Sequence, residues 1–379
     1  MDKKSNLKDI LIIFTDFNLP YSPTTLNLYD TLSSKFNVSI LTFEPYVKSS
    51  SVKIFDRNVN YIKIPNKKNG KPLYKRLFNE IKKSLKTNLH SSEKLITPSA
   101  RALINTIKDF EGEIIAVDYF ALWCVQFLKK TAHFLSLEIH KTDPYREACN
   151  TSSIKSVLIQ SKERFEFLFT DQKIPVFFVQ NAPIFNEIKI HPEQRKCNDL
   201  IFCGSALPIF GIFSCIEFIK NYPEYNLTIK GYIDPFVKKV ILTLFNDLIN
   251  DSKLILDEEY MSSENLQNYI SNFFAGFVFY DIYRFESIHS FNYLTAPSGK
   301  LFQYYNSGVP VIGNRLLGLS SIEEFNAGVL INDLGSKSIA EALERIKRNY
   351  NRFVNGTKAA ASHYDFKRNI QDFIHFITN

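Results

Sequence analysis

The chain has 379 residues, 45% of them hydrophobic and 22% charged, so it is too long for one hydrophobic core and too balanced for long disordered tails. Lys and Arg number 46 against 39 Asp and Glu, a net charge of +7, and the stretch from Lys67 to Lys86 carries that whole excess. A local basic block on a neutral body points to a surface partner and argues against a nucleic-acid-binding fold.

The opening MDKKSNLKDILIIF is charged and then enters an apolar run too short to cross a membrane, with no small-residue cleavage site after it. No later stretch reaches spanning length, so a soluble or membrane-peripheral protein is expected. Cys124, Cys149, Cys197, Cys203 and Cys215 form no C-x-x-C pair and no zinc spacing, which reads as reduced, mostly buried thiols in the cytoplasm.

In chain order, Ile10 to Phe14 is a continuous apolar run, predicting a buried parallel strand. A loop with Pro20 and Pro23, a helix from about Leu26 to Lys35 and a strand from Val38 to Phe43 follow. Further strands are expected at Ile114 to Val117, Phe134 to Leu137, Ser156 to Gln160 and Val176 to Val179, with helical stretches between them. After a polar connector from Ile184 to Asn198 the alternation restarts. Its strands are Leu200 to Cys203, Leu227 to Ile229, Leu254 to Leu256, Ala275 to Phe279, Val309 to Ile312 and Gly328 to Leu330. The expected fold class is α/β, two Rossmann-like doubly wound domains over residues 1–183 and 184–361. A last helix, about Asp365 to Ile377, is expected to return to the first domain and contribute residues 362–379 to it.

The most informative segment runs from Asn292 to Gly313. Ser298 is placed as a helix N-cap after Pro297, and Gly308 as the left-handed residue that closes the helix. Free N–H groups and the positive dipole end at Gly299 make an anion site, to which Lys300 adds a charge. Gln303 shares a face with Gly299 and Lys300, placing its amide where a ribose hydroxyl would lie. The plain alternative is a capped helix packed by Leu301, Tyr304 and Tyr305.

These residues carry a resemblance. Pro297-Ser298-Gly299-Lys300-Leu301-Phe302-Gln303-Tyr304 followed by Gly308-Val309-Pro310-Val311-Ile312 resembles the P-S-K-L-x-E-Y-x-x-x-G-x-P-V-I segment of family 4 glycosyltransferases and their GT-B relatives. Val157 to Arg164 and Val176 to Pro183 are similar to the motifs that close the first domain there. The resemblance implies a GT-B fold with its domains facing a cleft, a nucleotide-sugar donor in the second domain, a glycan or lipid-linked acceptor on the first, and retention of anomeric configuration. Gly204 and Ser205 would then lie at the phosphates. Two departures stand out. Thr295 and Gln303 occupy the positions of two family glutamates, and the loop from Gly204 to Phe213 lacks the Arg/Lys pair that neutralises a diphosphate. Arg284, His289, Arg315 or Lys300 would have to compensate, or the donor would carry one phosphate, as a CMP-sugar does.

No D-x-D occurs, so a metal-free reaction without cofactor is expected, with the leaving phosphate stabilised electrostatically. Catalytic candidates follow the first-domain strands: Asp16, Asp118, Glu138 and His140. For an inverting reaction Glu138 or Asp16 would be the base. Around Leu73 to Leu85, apolar residues at four-residue spacing with Lys75, Arg76, Lys82 and Lys83 between them suggest a cationic amphipathic helix for an anionic membrane or a lipid-linked acceptor. The leading expectation is a transferase of surface polysaccharide or glycolipid assembly, with a CMP-sugar transferase, a nucleotide-sugar 2-epimerase and a non-catalytic partner subunit as alternatives.

Overall fold

The computed structural model describes residues 7–16, 19–44, 57–63, 95–140, 142–169, 173–185, 195–282 and 290–379. Lys75, Arg76, Lys82, Lys83, Arg284 and His289 lie outside them. The chain divides into two compact units, Met1–Gln180 with Asn369–Asn379, and Asn181–Arg368.

In the first unit, β1 (Asp9–Phe14), β2 (Asn37–Phe43), β3 (Val59–Ile62), β4 (Glu113–Val117), β5 (Ala132–Ser136), β6 (Ile154–Ile159) and β7 (Val176–Phe178) form one sheet. Their order is β3-β2-β1-β4-β5-β6-β7, and every pairing is parallel. The continuous apolar run of β1 is buried on both faces, as a central parallel strand requires. Strand β3 escapes the sequence pattern because Asn60 and Tyr61 face out at the sheet edge. The first helix begins earlier than expected, at Pro23, whose fixed φ and missing N–H suit the first helical position.

A charged hub closes the edge where the strands begin. Glu113 at the start of β4 meets Lys155 at 2.6 Å, Lys8 at 3.0 Å and His133 Nε2 at 3.3 Å. The approach of His133, followed by Lys155 and Lys8, outweighs burial and holds the Glu113 carboxyl well below the usual carboxylate range. Helix Gln371–Thr378 docks here, with Phe373 and Phe376 packing edge-on against the His133 ring at 5.2 and 6.1 Å. Lys8 Nζ also donates to the Ile377 carbonyl in the last turn, where a cation is favoured. The expected last helix is in fact two, Phe366–Asn369 and Gln371–Thr378, yet its apolar face is buried throughout: Phe366, Ile370, Phe373, Ile374 and Ile377.

Glu113→Gln should cost about 1–2 kcal/mol at neutral pH, since it leaves three cationic or hydrogen-bonding partners around a neutral amide. Because the folded carboxyl titrates below its unfolded value, this stabilisation is present above about pH 4.3 and is lost on acidification. Urea unfolding at neutral pH and at about pH 3 should therefore show the variant's deficit shrinking with acid; a constant deficit would contradict the ionic account.

In the second unit, β8 (Asp199–Cys203), β9 (Asn226–Lys230), β10 (Leu254–Asp257), β11 (Ala275–Val278), β12 (Val311–Asn314) and β13 (Gly328–Ile331) form a parallel sheet in the order β10-β9-β8-β11-β12-β13. Leu200, Phe202, Leu227, Ile229, Phe277 and Ile312 fill its core with the helices Ile212–Asn221 and Ser336–Arg348. In both sheets the order reverses beside the first strand of the unit. Open α/β sheets bind ligands at such a reversal, outside the carboxyl ends of the strands.

Candidate functional site

The second unit builds its site where β8 separates β9 from β11. Gly204 follows β8 at φ 107° and Gly231 follows β9 at φ 124°, backbone regions that side chains rarely enter. The two turns nest: Gly204 N–H donates to the Lys230 carbonyl at 2.8 Å, and a Cβ on Gly231 would lie 2.6 Å from the Gly204 carbonyl oxygen. Beyond them Ala206 N–H donates to the Tyr232 carbonyl at 2.8 Å, so bare backbone lines this edge. Ser205 lies exposed between.

The helix Gly299–Asn306 approaches the same strand ends, and Gly308 closes it at φ 63°, as its sequence implies. Tyr304 pins it beneath the sheet: its hydroxyl accepts from Cys203 N at 2.8 Å and reaches the Ile201 carbonyl at 3.2 Å. The space comes from Gly276, where any Cβ would lie 2.6 Å from the Tyr304 ring. Ser298 holds the N-cap position with extended backbone, but its side chain makes no capping bond, contrary to expectation. The Ser298 hydroxyl thus accepts from none of the first-turn N–H groups. Asn181 reaches the helix tip, its Nδ2 being 3.1 Å from where a Gly299 Cβ would stand. Gln303 is half-buried and its side-chain amide makes no hydrogen bond among the described residues.

Lys300 corrects a second expectation. Its ammonium is not displayed at the helix tip but buried between the Phe202 and Phe210 rings, 4.1 and 4.5 Å from their centroids. Burial pushes its pKa down to about 8, against the pull of Cys203 and Cys215. The Thr295 hydroxyl donates to the Phe291 carbonyl at 2.7 Å, one helical turn back. Arg315, another candidate compensating cation, is paired with Glu323 at 2.9 Å.

Residues that sequence reasoning missed complete this edge. Lys230, buried at the end of β9, pairs with Asp257 at 2.6 Å and donates to the Glu259 carbonyl at 2.6 Å. Although burial works against it, the Lys230 and Tyr269 hydrogen bonds hold Asp257 below its ordinary value. Asp281 N–H ties the end of β11 to the Ile209 carbonyl at 2.7 Å, and Asn314 brackets Tyr280 with bonds of 3.0 and 2.9 Å to its backbone. Phe210, Tyr280 and Tyr293 pack as an aromatic wall, the two tyrosines stacked at 5.3 Å. Only Gly231 had a signal in sequence, a glycine directly after a strand.

The first unit gathers its candidates at the matching edge. Asp118 follows β4 with φ 60° and opens the helix Asp118–Phe127. Its Oδ1 accepts from the backbone N–H groups of Leu137 at 2.8 Å and Glu138 at 3.1 Å. Asp118 Oδ1 is thus committed to backbone. Burial pushes its carboxyl up to about 7, against those two bonds. Glu138 has an exposed side-chain surface, yet protein crowding around its carboxyl raises its pKa; Arg164 and His140 oppose this and Asp16 adds to it. So Asp16, Glu138 and His140, proposed separately from sequence, fall within one electrostatic cluster. Buried Arg164 anchors it, donating from Nη2 to the Leu137 carbonyl at 2.9 Å, while Ser161 caps its helix at Arg164 N. Asp143 caps the preceding helix, Pro144–Ala148, through Tyr145 N and Arg146 N.

Among the described residues no three His, Cys, Asp or Glu side chains group as a metal-holding set, and no helix is long and apolar enough to cross a membrane. No protein-family model matches the sequence, and neither does any curated protein. Among solved structures the chain is similar to Anabaena HepE in complex with UDP-glucose, with a TM-score of 0.67 and 11% identity over 98% of this chain and 99% of that one. It is similar to a variant of S. aureus TarM in complex with fondaparinux, α-GlcNAc-glycerol and UDP, with a TM-score of 0.65 and 11% identity over 98% and 100% of the two chains. A Listeria monocytogenes protein described as a UDP-N-acetylglucosamine 2-epimerase is similar at a TM-score of 0.59 and 14% identity, over 98% of each chain. Likeness at such identities is one of fold, and with the two parallel sheets it places the chain in the GT-B fold.

Proposed function

We propose that the chain is a glycosyltransferase that binds a nucleoside-diphosphate sugar in its second unit and passes the sugar to a glycan or lipid-linked acceptor without a metal. The observation that carries this reading is the anion-ready edge made by the nested Gly204 and Gly231 turns, the uncapped tip at Gly299 and the buried Lys300 cation. HepE and TarM, which hold UDP-glucose and UDP, support a uridine donor. In the reaction an acceptor hydroxyl oxygen bonds to the anomeric carbon as the bond from that carbon to the phosphate oxygen breaks. The electron pair leaves with the diphosphate, and the acceptor proton goes to that phosphate if configuration is retained, or to Glu138 or Asp16 if it inverts. The resemblance to family 4 favours retention. A role in surface polysaccharide or glycolipid assembly, on the cytoplasmic face of a membrane, rests on the basic residues from Lys67 to Lys86.

A thermal-shift panel of UDP, GDP, dTDP, CMP and UMP tests the reading. UDP is expected to stabilise the wild type, and Gln303→Ala to bind it about tenfold more weakly through loss of one ribose hydrogen bond. Stabilisation by CMP alone would mean a CMP-sugar transferase. No response to any nucleotide would leave a non-catalytic partner subunit, and epimerisation of UDP-GlcNAc without acceptor would identify a 2-epimerase.

A further inference from the structure

Two buried lysines stand at the second-unit site, and they differ in one respect. Lys230 has an anion of its own in Asp257, whereas the Lys300 ammonium has no hydrogen-bond or ion-pair partner among the described residues. Its near neighbours are the Phe202 and Phe210 rings. The ionisable groups acting on it are Cys203, at the end of β8, and Cys215, in the helix Ile212–Asn221. Burial keeps both thiols protonated, pushing Cys203 up to about 11 and Cys215 higher still, so neither supplies a negative charge near neutral pH.

Taking an ammonium out of water costs several kcal/mol, and contact with two aromatic faces returns only about 2 kcal/mol each. The charge is therefore incompletely compensated until an anion arrives. The structure leaves a place for one. Lys300 is the second residue of the helix whose first-turn N–H groups lack a side-chain cap, and its stem runs beneath the bare backbone of Gly204. A Cβ built on Gly204 would lie 3.7 Å from Lys300 Cε, and apart from its chain neighbours no other atom of the described residues comes within 4 Å.

We propose that Lys300 is a stored counter-charge, and that the arriving phosphates of the nucleotide draw a proton from solvent onto its amine, so that donor affinity depends on pH. This rests on the nucleotide-sugar reading of the same edge. The unpaired Lys300 cation takes over the task for which the loop from Gly204 to Phe213 provides no Arg or Lys. In the free protein the amine releases its proton near pH 8; a phosphate close by favours the charged form and raises that value. By linkage, affinity is flat below about pH 8 and falls above it, each complex formed there taking up close to one proton.

Isothermal titration of the full chain with UDP, at about pH 7.5 and about pH 9.0 in buffers of different ionisation enthalpy, tests this. For the wild type, affinity is expected to fall roughly five- to tenfold between the two pH values, with proton uptake at the higher one. Lys300→Arg keeps its charge across this range, so the extra fall and the extra uptake should vanish. That comparison also cancels titration of the ligand and of the rest of the protein. Lys300→Met should bind weakly at both pH values while melting at or above the wild-type temperature, because it removes a buried charge. Equal pH slopes in wild type and Lys300→Arg, or wild-type affinity in Lys300→Met, would overturn the inference and leave the functional reading intact. If neither UDP, CMP nor pyrophosphate binds at either pH, both fall together.

Discussion

Gly231→Val is expected to abolish measurable UDP binding and to destabilise the second unit by about 3 kcal/mol or more. Two independent obstacles act at this position. The backbone sits at φ 124°, where a β-branched residue is strained whatever the available space. The new Cβ would also lie 2.6 Å from the Gly204 carbonyl oxygen, 3.1 Å from its carbonyl carbon and 3.2 Å from its Cα. Those are backbone atoms of the partner turn, so no side-chain rotation relieves the contact. Relief requires separating the two turns, which breaks the Gly204 N–H bond to Lys230 and moves the bare edge over the Lys300 stem. Gly299→Ala is the informative control. Its φ is ordinary, and the nearest atom to its Cβ is Asn181 Nδ2 at 3.1 Å, the end of a side chain that can shift. That variant should fold normally and lose no more than about fivefold in affinity. Denaturant unfolding and UDP titration of the pair check the argument; a Gly231→Val protein with wild-type stability and binding would show that the two turns do not need to nest.

The contrast between Gly231 and Gly299 also marks how far the sequence is legible. Among the described residues, twelve of the thirteen strands are announced by apolar runs, because parallel strands buried on both faces must be apolar at nearly every position. Strand β3 lies at an edge, where half its residues meet water, and its pattern is lost. The helix from Gly299 to Asn306 is equally legible, since a cap position, a helical run and a closing Gly308 are local signals. What the sequence does not disclose is where a polar group spends its bonding capacity. Lys300 reads as a displayed cation, yet two phenylalanines distant in sequence enclose it. Thr295 reads as a ligand contact and bonds its own helix. Lys230 carries no motif, and Gly231 only the mark of a glycine after a strand, because their constraint is a contact with Gly204 made only when β8 and β9 lie side by side. Glu138, His140 and Asp16 are legible for a topological reason: in a parallel sheet the strand ends adjoin, so residues that follow separate strands meet.

Asp118→Asn is expected to make the protein more stable than wild type at pH 8, by about 1–3 kcal/mol, although it removes a charge from a cluster next to candidate catalytic groups. The carboxyl titrates near 7 in the fold against an ordinary 3.8, the main cause being burial, with Glu138 and Asp143 adding repulsion. Between those values the folded state holds the proton that the unfolded chain has released. Stability from this group therefore declines as pH rises from about 4 to about 7 and is flat on either side. Asn keeps an oxygen for the Leu137 and Glu138 N–H groups, tolerates φ 60°, and has no charge to desolvate. Its advantage should accordingly disappear by about pH 4, where the wild-type carboxyl is protonated in both states. Asp118→Ala separates this from simple loss of contact. It strips the acceptor from two backbone donors and leaves a poorly suited residue in a left-handed conformation, so it should lose about 2–4 kcal/mol near pH 4, a deficit that narrows towards pH 8 as the wild-type carboxyl ionises. It should also lower turnover at least tenfold by releasing the segment that carries Glu138 and His140, with donor affinity in the second unit little changed. If Asp118→Asn were instead destabilising at pH 8 by as much as Asp118→Ala, the two backbone donors would require the ionised carboxylate, and the group would be a structural anion held at its cost in desolvation.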